Sequence, residues 1–178
     1  KYRLDQALHP LLTFHFPQNS TFHSHLMNAF FKASFEFTKP KSPFNRKRLT
    51  IQSLGCEKIT CYHYYKDDFE HKNMLIYLHG GGFQTEGASF HQKMILKFAE
   101  HADLQILYVK YRLLPKYRYP KAFEDVVAAY QYLKTQTETF QFPSLFVGGD
   151  SAGGNLAFAL ALYDRDQGNH LIKKTMLI

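Results

Sequence analysis

From residue 72 onward the chain alternates short continuous apolar runs with stretches of helical periodicity. Asn73–His79, built on Met74-Leu75-Ile76-Tyr77-Leu78, reads as a buried strand, and Leu104–Tyr111 and Ser144–Gly149 read the same way. Between them, Met94, Ile95, Phe98 and Ala99 share one face of a helix near Ser89–His101. Phe123, Val126, Val127, Tyr130 and Leu133 share one face of a second helix near Lys121–Lys134. A third helix runs on from Ser151 through Leu156-Ala157-Phe158-Ala159-Leu160-Ala161-Leu162, and Thr175-Met176-Leu177-Ile178 begins another strand. Continuously apolar strands alternating with helices bury both faces of a parallel sheet. The pattern therefore predicts an α/β fold whose site lies at the carboxyl edge of the strands.

The first third of the chain differs. Residues 1–37 carry scattered aromatics without strand alternation, and Phe22, Leu26, Met27, Phe30, Phe31 and Ser34 fall at helical spacing. Thr38–Asn45, with Pro40 and Pro43, reads as a linker. Arg48–Ser53 and Lys58–Tyr65 then form a predicted β-hairpin around Gly55. Two units follow: a helical segment and linker over 1–45, and the sheet-bearing unit over 46–178.

Composition narrows the picture. The 178 residues are 45% hydrophobic with 17 Phe and 12 Tyr, enough for a sizeable core and unlike a disordered chain. The net charge is +7, with a cluster at Lys39, Lys41, Arg46, Lys47 and Arg48. No nucleic-acid motif accompanies that cluster, so it reads as a solvated surface and no nucleic-acid partner is expected. Cys56 and Cys61 are too few for a disulfide framework or a zinc site and are expected as reduced thiols. No apolar run approaches the roughly 20 residues of a membrane span. No secretory signal is visible, although the chain begins at Lys1, so a removed leader stays open; the expectation is cytoplasmic.

Two glycine motifs carry the chemistry. Gly149-Asp150-Ser151-Ala152-Gly153-Gly154 stands between a strand and a helix, the context that turns G-x-S-x-G into a nucleophile elbow. Side chains two residues to either side of a serine on so sharp a turn would collide unless they are glycine. The second motif, His79-Gly80-Gly81-Gly82-Phe83, also ends a strand, and its glycines leave backbone N–H groups free to meet developing negative charge. Neither a Gly-Lys-Ser/Thr sequence nor G-x-G-x-x-G spacing accompanies it, which argues against a phosphate loop.

Together with Tyr111-Arg112-Leu113-x-Pro115, Pro120 and Asp125, these motifs resemble the hormone-sensitive-lipase-like family of α/β-hydrolases, from about residue 48 onward. The resemblance implies the α/β-hydrolase fold, mostly parallel with helices on both faces. It implies carboxylic-ester hydrolysis of short or medium acyl esters with Ser151 as nucleophile, and an oxyanion hole from the N–H groups of Gly81, Gly82 and Ala152. Gly80 belongs to the same loop, His79 is expected to hold that loop by hydrogen bonds, and Asp150 to order the loops around the hole. Tyr111, Arg112 and Asp125 match positions read as structural. The family's N-terminal segment usually forms part of a cap, which implies a cap-like role for residues 1–37 within the 1–45 segment, so the first helix either packs on the domain, lines an acyl pocket, or does both. No metal and no organic cofactor is implied; the expected ligand is a small-molecule ester.

A hydrolase serine needs a base and an orienting acid, which in this fold follow it in the order Ser, Asp or Glu, His. Asp164 lies roughly 20 Å along the Ser151 helix; it and His170 read as surface residues at a helix end. His91 and His101 read as residues of a surface helix, and His9, His15, His23 and His25 have no assignable carboxylate partner. The C-terminal part of the fold, with the acid and base, is therefore expected outside this chain. The sheet would then end on an apolar edge at Thr175–Ile178, inviting pairing with another copy or chain. A non-catalytic small-molecule receptor of the same fold, or an inactive fragment, stays open beside the enzyme.

Overall fold

The computed structural model describes residues 21–39, 43–55, 57–68 and 72–178, with side chains from residue 25. Cys56, Lys41, His9 and His15, and the His23 side chain, lie outside that description. The elements are α1 (Thr21–Phe37), β1 (Asn45–Gln52), β2 (Lys58–Tyr65), β3 (Asn73–Leu78), α2 (Ser89–Ala102) and β4 (Leu104–Lys110). They continue with α3 (Lys121–Thr135), the short α4 (Thr137–Phe140), β5 (Leu145–Gly149), α5 (Ala152–Asp166) and β6 (Ile172–Leu177).

One six-stranded sheet runs in the order β1-β2-β4-β3-β5-β6. β1, β2 and β4 pair antiparallel, while β4, β3, β5 and β6 are parallel neighbours. The continuous apolar runs follow from burial on both faces. Met74, Ile76 and Leu78 point to one side, against Val126 and Tyr130 of α3 and Leu156 and Leu160 of α5. Leu75 and Tyr77 point to the other, against Tyr108, Ile95 and Ala99 of α2 and Phe35 of α1. The first helix thus packs on the sheet through Phe35, which is fully buried. Arg46 is not simply solvated: its guanidinium donates to the carbonyls of Phe35, Glu36 and Thr38, closing the C-terminus of α1.

Two strand starts and one short helix depart most from the sequence reading. β1 starts at Asn45 rather than Arg48, because all of its first three residues pair with β2. β6 starts at Ile172 rather than Thr175, where the buried Asp164 anchors it. α4 carries no apolar periodicity of its own and is only four residues long. Cys61 is a buried free thiol in β2, its pKa pushed up by burial.

The register positions the site. Leu78 faces Val109 on one side and Gly149 on the other, so β3, β4 and β5 end level. His79, Tyr111 and Asp150 consequently emerge at one edge of the sheet.

Candidate active site

The turn from β5 into α5 places Ser151 at φ 50°, ψ −117°, a backbone conformation costly for a non-glycine residue. Several contacts hold it there. The Ser151 N–H donates to Ile178 O at 2.7 Å, and Gly153 N–H donates to Asp150 O at 2.8 Å. The glycine requirement is steric: a Cβ on Gly153 would sit 2.0 Å from the carbonyl oxygen of Leu78. Ser151 is exposed, and its Oγ has no hydrogen-bond partner among the described residues.

The glycine loop after β3 runs directly beside this turn. Asp150 Oδ1 accepts from Gly80 N–H at 2.9 Å and from Tyr77 O–H at 2.6 Å. Gly81 has φ +119°, a region closed to side chains, and its carbonyl accepts from the N–H groups of Gln84 and Thr85 at 3.0 Å each. In a trans peptide the N–H points opposite to the C=O, so this inward carbonyl turns the Gly82 N–H outward. Among the described residues no acceptor takes the N–H of Gly81, Gly82 or Ala152. Those of Gly81 and Gly82 are unused donors of one loop, and that of Ala152 is one of the free N–H groups at the start of α5.

Asp150 is tuned for this place. Burial raises its pKa, but hydrogen bonds from His91, Tyr77 and the Gly80 N–H outweigh that and hold it at about 2. It is a carboxylate throughout the neutral range.

His79 is enclosed. It stacks on Tyr111 at 4.5 Å between ring centroids, and Tyr111 O–H donates to its carbonyl at 2.5 Å. Burial pushes its pKa down to about 4, against the opposing pull of the Gly80 carbonyl. The neutral ring carries its proton on Nδ1, facing Gly80 O at 2.7 Å. Behind it, Arg112 clasps the fully buried Asp125 with its backbone N–H, Nε and Nη2, and Ser53 O–H donates to the same carboxylate. The structural reading of Tyr111, Arg112 and Asp125 matches these contacts.

Two residues differ from their sequence reading. His91 does not lie on the solvent face of α2. It is buried, its Nδ1 accepts from Ala88 N–H at 3.1 Å, and its Nε2 stands 3.5 Å from Asp150 Oδ2. The first turn of α2 is directed inward by the loop before it, which periodicity cannot show; a histidine three residues after Ala88, at a helix start, was the available signal. Asp164 is not a surface residue either. It is buried and accepts from Tyr130 O–H and from the N–H groups of Leu171 and Ile172, at 2.5, 3.2 and 3.0 Å. That bonding occupies it structurally, far from Ser151. His170 and His101 are exposed, as expected.

A cavity of about 400 Å³ opens between α1 and the edges of β2 and β4, lined among others by Asn28, Lys32, Glu36, Gln84, Glu86 and Lys110. Ser151 is not in its lining; the cavity meets the glycine loop through Gln84 and Glu86. Among the described residues no cluster of three or more His, Cys, Asp or Glu could hold a metal ion. Nor is any helix among them long and apolar enough to cross a membrane.

Level strand ends, a strained serine before a helix and a glycine loop beside it define an α/β-hydrolase architecture. A sequence profile described as alpha/beta hydrolase fold matches residues 75–178, and the chain belongs to that family. The structure is similar to the esterase of Pyrobaculum calidifontis, at 28% identity and a TM-score of 0.74, covering 85% of this chain and 50% of that one. It is similar to EstE1, a thermophilic and thermostable carboxylesterase cloned from a metagenomic library, at 28% identity and TM-score 0.75, covering 86% and 53%. Carboxyl esterase 2 of the mycorrhizal fungus Tuber melanosporum matches at 27% identity and TM-score 0.71, covering 79% and 46%. The chain spans about half the length of these solved structures.

Proposed function

We propose that this chain is the nucleophile-bearing part of a serine carboxylic-ester hydrolase of the hormone-sensitive-lipase-like group, acting on short or medium acyl esters. The observation that carries the reading is the pairing of Ser151, at φ 50° on the elbow, with the unused N–H groups of Gly81, Gly82 and Ala152. Similarity to three esterases at 27–28% identity supports it.

In the proposed reaction Ser151 Oγ attacks the ester carbonyl carbon while its proton passes to a base. The carbonyl π electrons move to oxygen, and the three N–H groups receive the resulting anion. Collapse expels the alcohol oxygen, which takes the proton and leaves an acyl-enzyme; water then releases the acid by the same route. One such donor contributes roughly 3–4 kcal/mol to lowering the barrier. The base and its acid, which follow the nucleophile in this fold's chain order, are assigned to residues outside 1–178. His79 is not assigned as base: its ring is fully buried, its Nδ1–H is committed to Gly80 O, and burial makes it a weak proton acceptor, while Ser151 is exposed.

The unpartnered Ser151 Oγ also fits a second reading, a non-catalytic receptor that keeps the glycine loops to bind a carbonyl-bearing ligand. The two separate on one experiment: initial rates on a panel of aryl esters for the full-length protein and its Ser151→Ala variant, with fluorophosphonate labelling of both. The enzyme reading expects turnover and labelling that Ser151→Ala abolishes. Equal rates and labelling would remove Ser151 as nucleophile, and inactivity of both would favour the receptor.

The outer edge of β6 leaves one row of backbone groups without a strand neighbour among the described residues. Pairing through that edge is the proposed route of any self-association, measurable by sedimentation.

A further inference from the structure

The oxyanion loop is fixed at its near end by Asp150, which holds Gly80, but its far end is held from a different part of the fold. Asn28 of α1 makes a two-point contact with the segment that follows the glycines. Its Nδ2 donates to Gln84 O at 2.8 Å, and its Oδ1 accepts from Glu86 N–H at 3.0 Å. Two further ties run from the same helix. Ser34 Oγ accepts from Ser89 N–H at 3.2 Å. Glu36 meets Lys110 Nζ at 3.4 Å, and Lys110 meets Glu86 at 3.3 Å, so an ammonium with only 11% of its side chain exposed bridges helix and loop.

The stretch between the two anchors needs external support. Gly81, Gly82 and Phe83 have φ of 119°, 60° and 61° in succession, and Phe83 pays a steric penalty there that glycine does not. Its own internal bonds, from Gln84 and Thr85 to Gly81 O, set the curl of the loop and not its placement in the molecule. Placement comes from Asp150 at one end, from Leu114 N–H on Phe83 O in the middle, and from Asn28 at the other. A primary amide, with a fixed donor and a fixed acceptor side by side, matches a carbonyl and an N–H two residues apart as a strand neighbour would.

We propose that Asn28 is a positioning residue for the oxyanion hole: through Gln84 and Glu86 it sets the direction of the Gly81 and Gly82 N–H groups, so that the N-terminal helix tunes turnover as well as covering the sheet. This rests on the hydrolase reading above for its kinetic consequence, and on geometry alone for its structural one.

The test uses the full-length protein with Asn28→Ala and Asn28→Asp; the second keeps size and the acceptor for Glu86 N–H but places a carboxylate oxygen against Gln84 O. Three readouts are taken: kcat and KM on an aryl ester, affinity for a boronic-acid transition-state analogue, and amide hydrogen exchange over residues 81–88. Expected are a roughly tenfold or larger fall in kcat with KM within about twofold, a matching loss of boronate affinity, and faster exchange over 81–88 while Tm changes little. The magnitude follows from misdirecting a donor whose full loss gives about a hundredfold. Unchanged exchange over 81–88 in a folded variant would overturn the proposal, as would unchanged kcat in a variant whose wild type is active. If the wild type neither turns over ester nor labels at Ser151, the hydrolase reading fails, and the exchange measurement alone still decides the clamp. Should Asn28→Ala fail to fold, Asn28→Asp supplies the same comparisons.

Discussion

Asp150 and Gly80, on loops that follow different strands, are joined by a 2.9 Å hydrogen bond from the Gly80 N–H to the Asp150 carboxylate. The residue before Ser151 thereby holds the first glycine of the loop after β3, and Tyr77 and His91 brace the same carboxylate from β3 and α2. The Ser151 turn and the start of the glycine loop are thus tied to one carboxylate.

The first prediction follows from that carboxylate's pKa. It lies at about 2 in the folded protein against an ordinary aspartate value of 3.8, so Asp150 contributes stability that is fully present above about pH 4 and is lost as pH falls through about 2. The contribution is on the order of 1–2 kcal/mol, allowing for its partial exposure. Asp150→Asn should flatten the acid limb of the stability curve. Urea denaturation of the full-length protein and variant between pH 2.5 and 5 measures it, and parallel curves would contradict it.

His91→Ala should weaken the site without opening the core. It removes the acceptor of Ala88 N–H and the neighbour of Asp150, for a stability loss of about 1–3 kcal/mol. Through Asp150 it should also lower kcat more than it changes KM. His101→Ala, at an exposed position on the same helix, should do neither.

Asp164→Ala should separate stability from chemistry. Three donors, the Tyr130 hydroxyl and the Leu171 and Ile172 N–H groups, lose their acceptor together, which should cost about 2–4 kcal/mol. Fluorophosphonate labelling of Ser151 at a temperature where the variant remains folded should be unchanged. A labelling loss in the folded variant would place Asp164 in the site after all.

Gly153→Ala should destabilise by about 2–4 kcal/mol, because its Cβ would fall 2.0 Å from the Leu78 carbonyl and backbone must move to admit it. Gly168→Ala is the matched comparison: nothing lies within 4 Å of that Cβ, so only its φ of +67° opposes the change. Thermal unfolding of the two variants should rank them in that order.

The alternation of apolar runs and helical faces was sufficient by itself to determine the α/β class, the strands around residues 76, 107 and 147, and both glycine motifs. Each of those signals is local: burial on both faces writes a continuous apolar run, and a sharp turn writes its glycines two residues from the serine. The family membership was legible for the same reason.

Other features were decided only by tertiary structure. His91 and Asp164 have the polarity of surface residues, and beyond the Ala88 N–H that His91 accepts, the partners of both lie outside the reach of local pattern. Asp150 waits for His91 from a helix some sixty residues earlier, and Asp164 satisfies N–H groups beyond the end of its own helix. The contact of Asn28 with Gln84 and Glu86 is equally invisible along the chain, because it depends on where the packing of Phe35 on the sheet places α1. A hydrogen bond between distant residues has no period to leave in a sequence; packing alone brings its two ends together.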